Sequence, residues 1–202
     1  MESRRPEVRN RRWRLTLQDS VVISLLRGVN VVGRNKLPME ELRQLYESLG
    51  LRNAQTWLQS GNVVFSTDEK DFARLARRIE DAIEKKFGFR PSVTLCTTAD
   101  LKKIIARNPF AKRRGIEPGK LLVTFLAAEL SAETCEILRL KASDSEEVVF
   151  AGRELYAYFG DGMGRSELWR ALDRALKKSG TGRNWNTVTR LLEMAERLEN
   201  SR

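Results

Sequence analysis

The sequence contains no histidine, and this absence narrows its chemistry more than any other feature of its composition. Histidine is the commonest general acid or base near neutral pH and a frequent metal ligand. The two cysteines, Cys96 and Cys135, are too far apart to suggest a zinc-binding pair or a disulfide framework. Neither has an activating neighbour, and the carboxylates fall mostly on the charged faces of predicted helices. The sequence therefore discloses no reaction, no cofactor and no metal site.

Long apolar runs are missing as well. No run approaches the roughly 20 residues that a transmembrane helix requires. The apolar stretch after Asp19 is too short for a secretory signal and soon reaches Arg27. With 202 residues, 41% of them hydrophobic and 32% charged, the chain can still bury a substantial core. We expect a cytoplasmic protein with no membrane partner.

The net charge of +10 is concentrated toward the two ends of the sequence. Residues 1–14 carry six arginines and two glutamates, and residues 165–202 carry nine basic and five acidic side chains. The residues between them are nearly neutral, with 22 basic and 20 acidic side chains. An arginine-rich end binds polyanions without specificity and is typical of a disordered tail. We predict that residues 1–19 form a basic, disordered N-terminal extension.

The first half of the remaining chain predicts the order strand, helix, strand, strand, helix, strand. A β-branched apolar run at residues 21–26 is typical of a buried strand, and Ser60-Gly61 marks the turn of a hairpin. Two amphipathic helical patterns end at Gly50 and Gly88, the usual kind of helix terminator. This order is that of a split βαβ, or ferredoxin-like, unit.

The second half repeats this order without close sequence identity. An amphipathic helix containing Val188, Leu191 and Leu198 occupies the place where a fourth strand would complete the repeat. The predicted fold class is therefore α+β, with two ferredoxin-like halves related by duplication and an extra C-terminal helix. The predicted boundaries are residues 20–97 for the first half, 98–119 for a connecting helix and linker loop, and 120–202 for the second half.

Short polar segments rich in glycine, amides and arginine stand at the ends of these elements. Amide side chains, guanidinium groups and exposed backbone N–H groups suit the recognition of anions better than bond-breaking. We expect these segments to line one surface between the two halves and to bind a nucleotide, a nucleic acid or a phosphorylated metabolite. The candidate ligand-binding residues are Arg27, Gly28, Asn30, Lys36, Gln59, Ser60, Asn62, Arg165, Arg183, Asn184 and Asn186.

Two other interpretations stay open. In the first, the chain is a phosphate- or nucleotide-handling transferase in which Asp161, inside a glycine-rich segment, holds a metal ion. In the second, the motifs are purely structural, with a hairpin turn at Ser60-Gly61 and a helix cap at Asn184 or Asn186. The sequence does not predict an oligomeric state.

Four of the segments, taken in order, resemble domain-of-unknown-function family 1697. They are Leu-Leu-Arg-Gly-Val-Asn at residues 25–30, Gln-Ser-Gly-Asn-Val-Val-Phe at 59–65, Asp-Gly-Met-Gly-Arg-Ser at 161–166 and Arg-Asn-Trp-Asn-Thr at 183–187. The resemblance covers residues 20–198. It implies a duplicated α+β fold of bacterial origin, and it implies no catalytic residues, because the family has no established activity.

Overall fold

The structure of the chain is a computed structural model that describes residues 19–31, 33–176 and 180–201. The predicted disorder of the N-terminal extension lies outside the described residues, apart from Asp19. That residue is 4% exposed and forms an ion pair with Arg52 of the first sheet. No helix in the described ranges is long and apolar enough to cross a membrane.

The first half folds into a four-stranded antiparallel sheet with two helices on one face. Its strands follow the spatial order β2-β3-β1-β4. The helices pack on the outward face of this sheet around Val22, Leu26 and Phe65. The elements are β1 (Ser20–Arg27), α1 (Met39–Ser48), β2 (Arg52–Trp57), β3 (Asn62–Thr67), α2 (Phe72–Phe87) and β4 (Ser92–Thr97).

The second half has the same element order and a sheet with the matching strand order, β6-β7-β5-β8. Its two helices pack on the outward face around Leu122, Leu155 and Phe159. The elements are β5 (Leu121–Leu126), α4 (Ala132–Leu140), β6 (Glu146–Ala151), β7 (Glu154–Phe159), α5 (Glu167–Ala175) and β8 (Gly180–Asn184). Two similar halves are therefore present, each a four-stranded antiparallel sheet with two outer helices.

The prediction that the second half lacks a fourth strand is wrong. Strand β8 pairs antiparallel with β5, from Gly180 opposite Leu126 to Asn184 opposite Leu122. Its sequence, Gly-Thr-Gly-Arg-Asn, contains none of the alternating apolar residues by which a strand is recognised. The strand forms because β5 offers it an open edge for hydrogen bonding, which is a property of the partner and not of the segment.

A middle layer of two helices lies between the sheets. It consists of α3 (Thr98–Ala106) and α6 (Trp185–Asn200), and a short 3-10 helix at Pro118–Lys120 precedes β5. The Leu101 and Leu191 side chains of these helices pack with Ile23 of the first sheet and Val123 of the second in one buried cluster. The C-terminal helix is thus a central element of the fold.

Strand β1 is apolar along almost its whole length because both of its faces are buried. Successive side chains of a strand point to opposite faces. Ile23 and Leu25 accordingly contact the middle layer, whereas Val22 and Leu26 contact the outer helices. Between the latter two, the hydroxyl of Ser24 is satisfied by a 2.8 Å hydrogen bond with the hydroxyl of Tyr46.

Gly61, at the end of the β2–β3 turn, gives a test of this packing. It has φ +72°, and an added Cβ would lie 2.6 Å from Val29 Cγ2 and 2.8 Å from Leu26 Cβ. Gly88 has a similar φ of +76°, but an added Cβ there would meet no atom within 4 Å. Both Gly→Ala changes incur about 1 kcal/mol of backbone strain, and Gly61→Ala adds about 1–3 kcal/mol of overpacking. Urea unfolding of the two variants measures this difference, and equal losses would contradict the packing.

Candidate functional site

The side chain of Arg183 lies buried at the junction of the two halves and is 7% exposed. It stands opposite Val123 in the β5–β8 pair, so it points from the second sheet toward the first. Its five N–H groups donate to Asn62 Oδ1 at 2.5 Å, Thr181 Oγ1 at 2.8 Å and the carbonyls of Gly182 at 2.8 Å, Leu26 at 2.6 Å and Ser60 at 3.0 Å. Three of these acceptors belong to the first half, which makes Arg183 a cross-link between the halves.

Among the described residues, the charge of Arg183 is surrounded by dipoles and not by an opposite charge. Every acceptor around its guanidinium is a neutral oxygen, and none of the salt bridges among the described residues involves it. Burial lowers the pKa of Arg183 to about 10, with no carboxylate acting against this shift. The side chain therefore stays protonated at neutral pH, and a positive charge is held inside the protein without a counterion from the described residues.

Asn62, at the start of β3, orients the oxygen that Arg183 uses. Its side chain is fully buried, and its Nδ2 donates to the Trp57 carbonyl at 2.8 Å and to Ser60 Oγ at 2.9 Å. With the amide nitrogen held by these two acceptors, Oδ1 is left to accept from Arg183 Nε. The predicted site residues Ser60, Asn62 and Arg183 thus form one network.

A second amide, Asn30, ties the loop after β1 to the β2–β3 turn. Its Nδ2 donates to the carbonyls of Leu37 at 2.9 Å and Gln59 at 2.7 Å, and its Oδ1 accepts from the Leu37 N–H at 2.8 Å. Within the same loop, Asn35 Nδ2 donates to the Gly28 carbonyl at 2.7 Å. These bonds fix the loop that carries Gly28 beside the hairpin turn.

Arg27, the last residue of β1, bridges to the second half and keeps part of its side chain accessible. It donates to the Gly180 carbonyl, and its Nη2 lies 3.6 Å from Asp173 Oδ1 of α5. The side chain is 23% exposed, in contrast to the buried Arg183. At 3.6 Å the contact with Asp173 is an ion pair longer than a good hydrogen bond, so it does not occupy Arg27 fully.

These residues surround a groove between the halves with a volume of about 320 Å³, called here the inter-half groove. One part of its wall is polar and includes two arginines, while the other part is apolar and includes an indole ring. The groove is lined by Arg27, Gly28, Ser60, Thr124, Asp173, Thr181, Gly182 and Arg183 and by Leu26, Val29, Val31, Leu122, Trp169 and Leu176.

Arg165 does not line the inter-half groove. It is exposed in a second groove, together with Lys141, Ser145 and Asp161. There Asp161 Oδ2 accepts a 2.7 Å hydrogen bond from Ser145 Oγ. Over residues 19–31, 33–176 and 180–201, no three His, Cys, Asp or Glu side chains cluster as a metal site would require.

Each of the remaining candidates either caps a helix or is exposed to solvent. Asn184 is the N-cap of α6, since its side chain accepts from the Asn186 N–H at 3.0 Å and donates to the Gly119 carbonyl at 2.6 Å. Asn186 itself is exposed, as are Lys36 and Gln59. Of these last four candidates, Asn184 caps a helix, whereas Lys36, Gln59 and Asn186 have exposed side chains.

The sequence analysis missed Trp169 and Asp173, which complete the groove. They lie four residues apart on α5, a spacing that places both on one face of the helix. Their spacing indicates only that they share one face of α5. Nothing in the local sequence indicates that this face turns toward the first half, because that arrangement depends on residues distant in sequence.

The family whose model matches the chain is described as a protein of unknown function, DUF1697, and the match covers residues 20–156. The chain belongs to this family. The DUF1697 match contains Arg27, Ser60 and Asn62, while Trp169 and Arg183 lie beyond its end. The family predicted from the sequence motifs is thereby confirmed, over residues 20–156.

A solved structure with a similar fold is that of the conserved bacterial protein SP0830 from Streptococcus pneumoniae. It is 22% identical to this DUF1697 chain, with a TM-score of 0.70, and the match covers 88% of this chain and 99% of that one. At this identity the likeness extends to the fold alone. No curated protein matches the chain.

Replacing Arg183 tests its role as a cross-link. In Arg183→Met, the Leu26 and Ser60 carbonyls and Asn62 Oδ1 lose their buried donor. We expect the free energy of unfolding to fall by about 3 kcal/mol or more, since each unsatisfied buried group costs about 1–3 kcal/mol. Arg165→Met is the matched control, because Arg165 is exposed, and we expect it to change the free energy of unfolding by less than about 0.5 kcal/mol. Equal effects in urea unfolding would rule out the cross-link.

Proposed function

We propose that the chain binds a small anionic ligand in the inter-half groove, with the negative charge of the ligand close to Arg27 and Arg183. The observation that carries this proposal is the buried guanidinium of Arg183, which lines the groove without any carboxylate partner among the described residues. Removing a charge from water is unfavourable unless another charge or dipole replaces the lost hydration. The neutral acceptors around Arg183 replace the hydrogen bonds of its lost hydration but supply no opposite charge, which an anion in the groove would add.

The two arginines would contribute in different ways. All five donors of Arg183 are engaged by the protein, so Arg183 would act through its charge and not through a direct hydrogen bond. Arg27 is partly exposed and has donors left beside its bond to the Gly180 carbonyl, so it would make the direct contact. Asp173, the only carboxylate that lines the groove among the described residues, pairs with Arg27 and would compete with the ligand.

The size and shape of the groove favour a small ligand. A volume of about 320 Å³ lies at the lower end of small-molecule pockets, which enclose about 300–1,000 Å³. A phosphorylated metabolite or a nucleotide matches these dimensions and the charge better than a nucleic-acid duplex. We place this binding in the reduced cytoplasm, in keeping with the two free cysteines, Cys96 and Cys135.

A structural role is the second candidate function for part of the motifs. Asn30, Asn62, Arg183 and Asn184 use their side chains to join backbone segments, which favours this interpretation for those four residues. The structural role applies to these four side chains, and direct contact with a ligand applies to Arg27, because its own contacts leave donors available. The transferase interpretation has no comparable support, since Asp161 lines the second groove and contacts a serine hydroxyl.

We also infer that the two halves are copies of one ferredoxin-like unit that duplicated. The matching orders β2-β3-β1-β4 and β6-β7-β5-β8, each produced by the sequence strand, helix, strand, strand, helix, strand, support this origin. The corresponding boundaries would be residues 20–97 and 120–202, with α3 in the connection between them. In this proposal the ligand lies where the two copies meet.

Two charge changes at the groove should shift anion affinity in opposite directions. In the full-length chain, we expect Arg27→Gln to weaken binding of inorganic phosphate by about tenfold, because a charge-assisted contact is lost. Asp173→Asn should strengthen it by about threefold, because the competing carboxylate is removed. Isothermal titration calorimetry at constant ionic strength measures both changes.

Both variants retain residues 1–18, so nonspecific binding by the basic N-terminal segment would be the same in each. Phosphate affinity that is identical in the wild type, Arg27→Gln and Asp173→Asn would place anion binding outside the groove and refute the proposal. A thermal melt without phosphate checks that each variant is folded.

A further inference from the structure

We infer that the ligand of the inter-half groove is a nucleoside phosphate, with its planar base against Trp169 and its phosphate at Arg27. This inference rests on the proposed anion binding and narrows the chemical class of the ligand. It is carried by the apolar part of the groove wall, which an inorganic anion or a phosphorylated sugar would leave largely uncovered.

One side of the apolar wall comes from a face of α5. Trp169 and Asp173 are separated by one helical turn, and Leu176, directly after the helix, continues the same face. Leu122 of β5 extends the wall from the second sheet. Leu122 and Leu176 are 8% and 5% exposed, so the half-buried indole of Trp169 supplies most of the accessible apolar surface of these three residues.

The indole of Trp169 is held in place, and its N–H has no partner in the part of the chain that the structure describes. Its ring packs edge-on against Phe159, with the ring centroids 6.4 Å apart and the planes at 85°. Because the side chain is only half-buried, this N–H can bond to solvent or to a ligand. A fixed aromatic surface with a spare N–H at its edge suits a heteroaromatic base, which offers both a ring face and acceptor atoms.

The positions of Trp169 and Asp173 along α5 fit this assignment. Four residues of α-helix rise about 6 Å, which separates the Trp169 and Asp173 positions along α5. Asp173 in turn lies 3.6 Å from Arg27. Trp169 and Asp173 thus stand about one helical turn apart along α5, with Arg27 beside Asp173. We expect the ribose of a nucleoside phosphate to bridge this spacing.

The inference is tested by comparing three probes on the full-length chain by isothermal titration calorimetry: adenosine 5′-monophosphate, ribose 5-phosphate and adenosine. We expect adenosine 5′-monophosphate to bind at least about tenfold more tightly than ribose 5-phosphate, because base stacking on an aromatic side chain contributes about that factor. Adenosine, which lacks the phosphate, should bind more weakly than the monophosphate.

Substitution of the ring locates this preference. Trp169→Leu should bring adenosine 5′-monophosphate to the affinity of ribose 5-phosphate while leaving ribose 5-phosphate nearly unchanged. Trp169→Phe, which keeps an aromatic face and preserves the contact with Phe159, should retain most of the preference. Trp57→Leu is the matched control, since Trp57 is also half-buried but does not line the groove, and it should leave all three affinities unchanged.

The outcomes distinguish the nucleoside phosphate assignment from the proposed anion binding on which it rests. Equal affinities of the wild type for adenosine 5′-monophosphate and ribose 5-phosphate would overturn the nucleoside assignment and leave anion binding intact. A preference that survives in a folded Trp169→Leu variant would overturn the assignment of the base to this wall. Failure of both phosphate compounds to bind, or adenosine binding as tightly as its monophosphate, would overturn the anion site itself.

Discussion

The relation between the two halves depends on the side chain of Arg183. An edge strand of the second sheet carries this guanidinium into the end of the first sheet, where β1 and the β2–β3 turn present their carbonyls to it. The five donors of a guanidinium lie in one plane at fixed angles, so these bonds constrain both distance and direction. The inter-half groove owes its shape to this constraint, because its polar wall consists of the strand ends that Arg183 joins.

The apolar middle layer and the arginine network act together. The buried cluster around α3 and α6 includes Ile23, Val123 and Leu191 and supplies the larger part of the driving force for association of the sheets. Hydrophobic contact is not directional, however, and it does not by itself set how the sheets are turned against each other. The hydrogen bonds of Arg183 and of Arg27 to Gly180 set that register. The same two arginines give the groove its positive charge.

Some motif residues stabilise the fold, whereas others are accessible to a ligand. Asn30, Asn62 and Asn184 are amides in loops and strand ends, yet their donors and acceptors are taken up by the protein itself. The accessible groups of the groove include Arg27 and the half-buried Trp169. Trp169 and Arg183 lie beyond residues 20–156, the part that the DUF1697 family model matches, so the groove combines matched and unmatched parts of the chain.

The sequence by itself determined the elements whose signals are local. The apolar run of β1 and the helix-ending glycine at position 88 each act through neighbouring residues, and each is found where it was predicted. Tertiary structure alone decided that Gly180–Asn184 is a strand, that α6 lies between the sheets, and that Arg183 is buried while Arg165 is exposed. The physical reason is that strand pairing, burial and donor satisfaction depend on partners distant in sequence, and residues 183 and 165 look alike until those partners are in place.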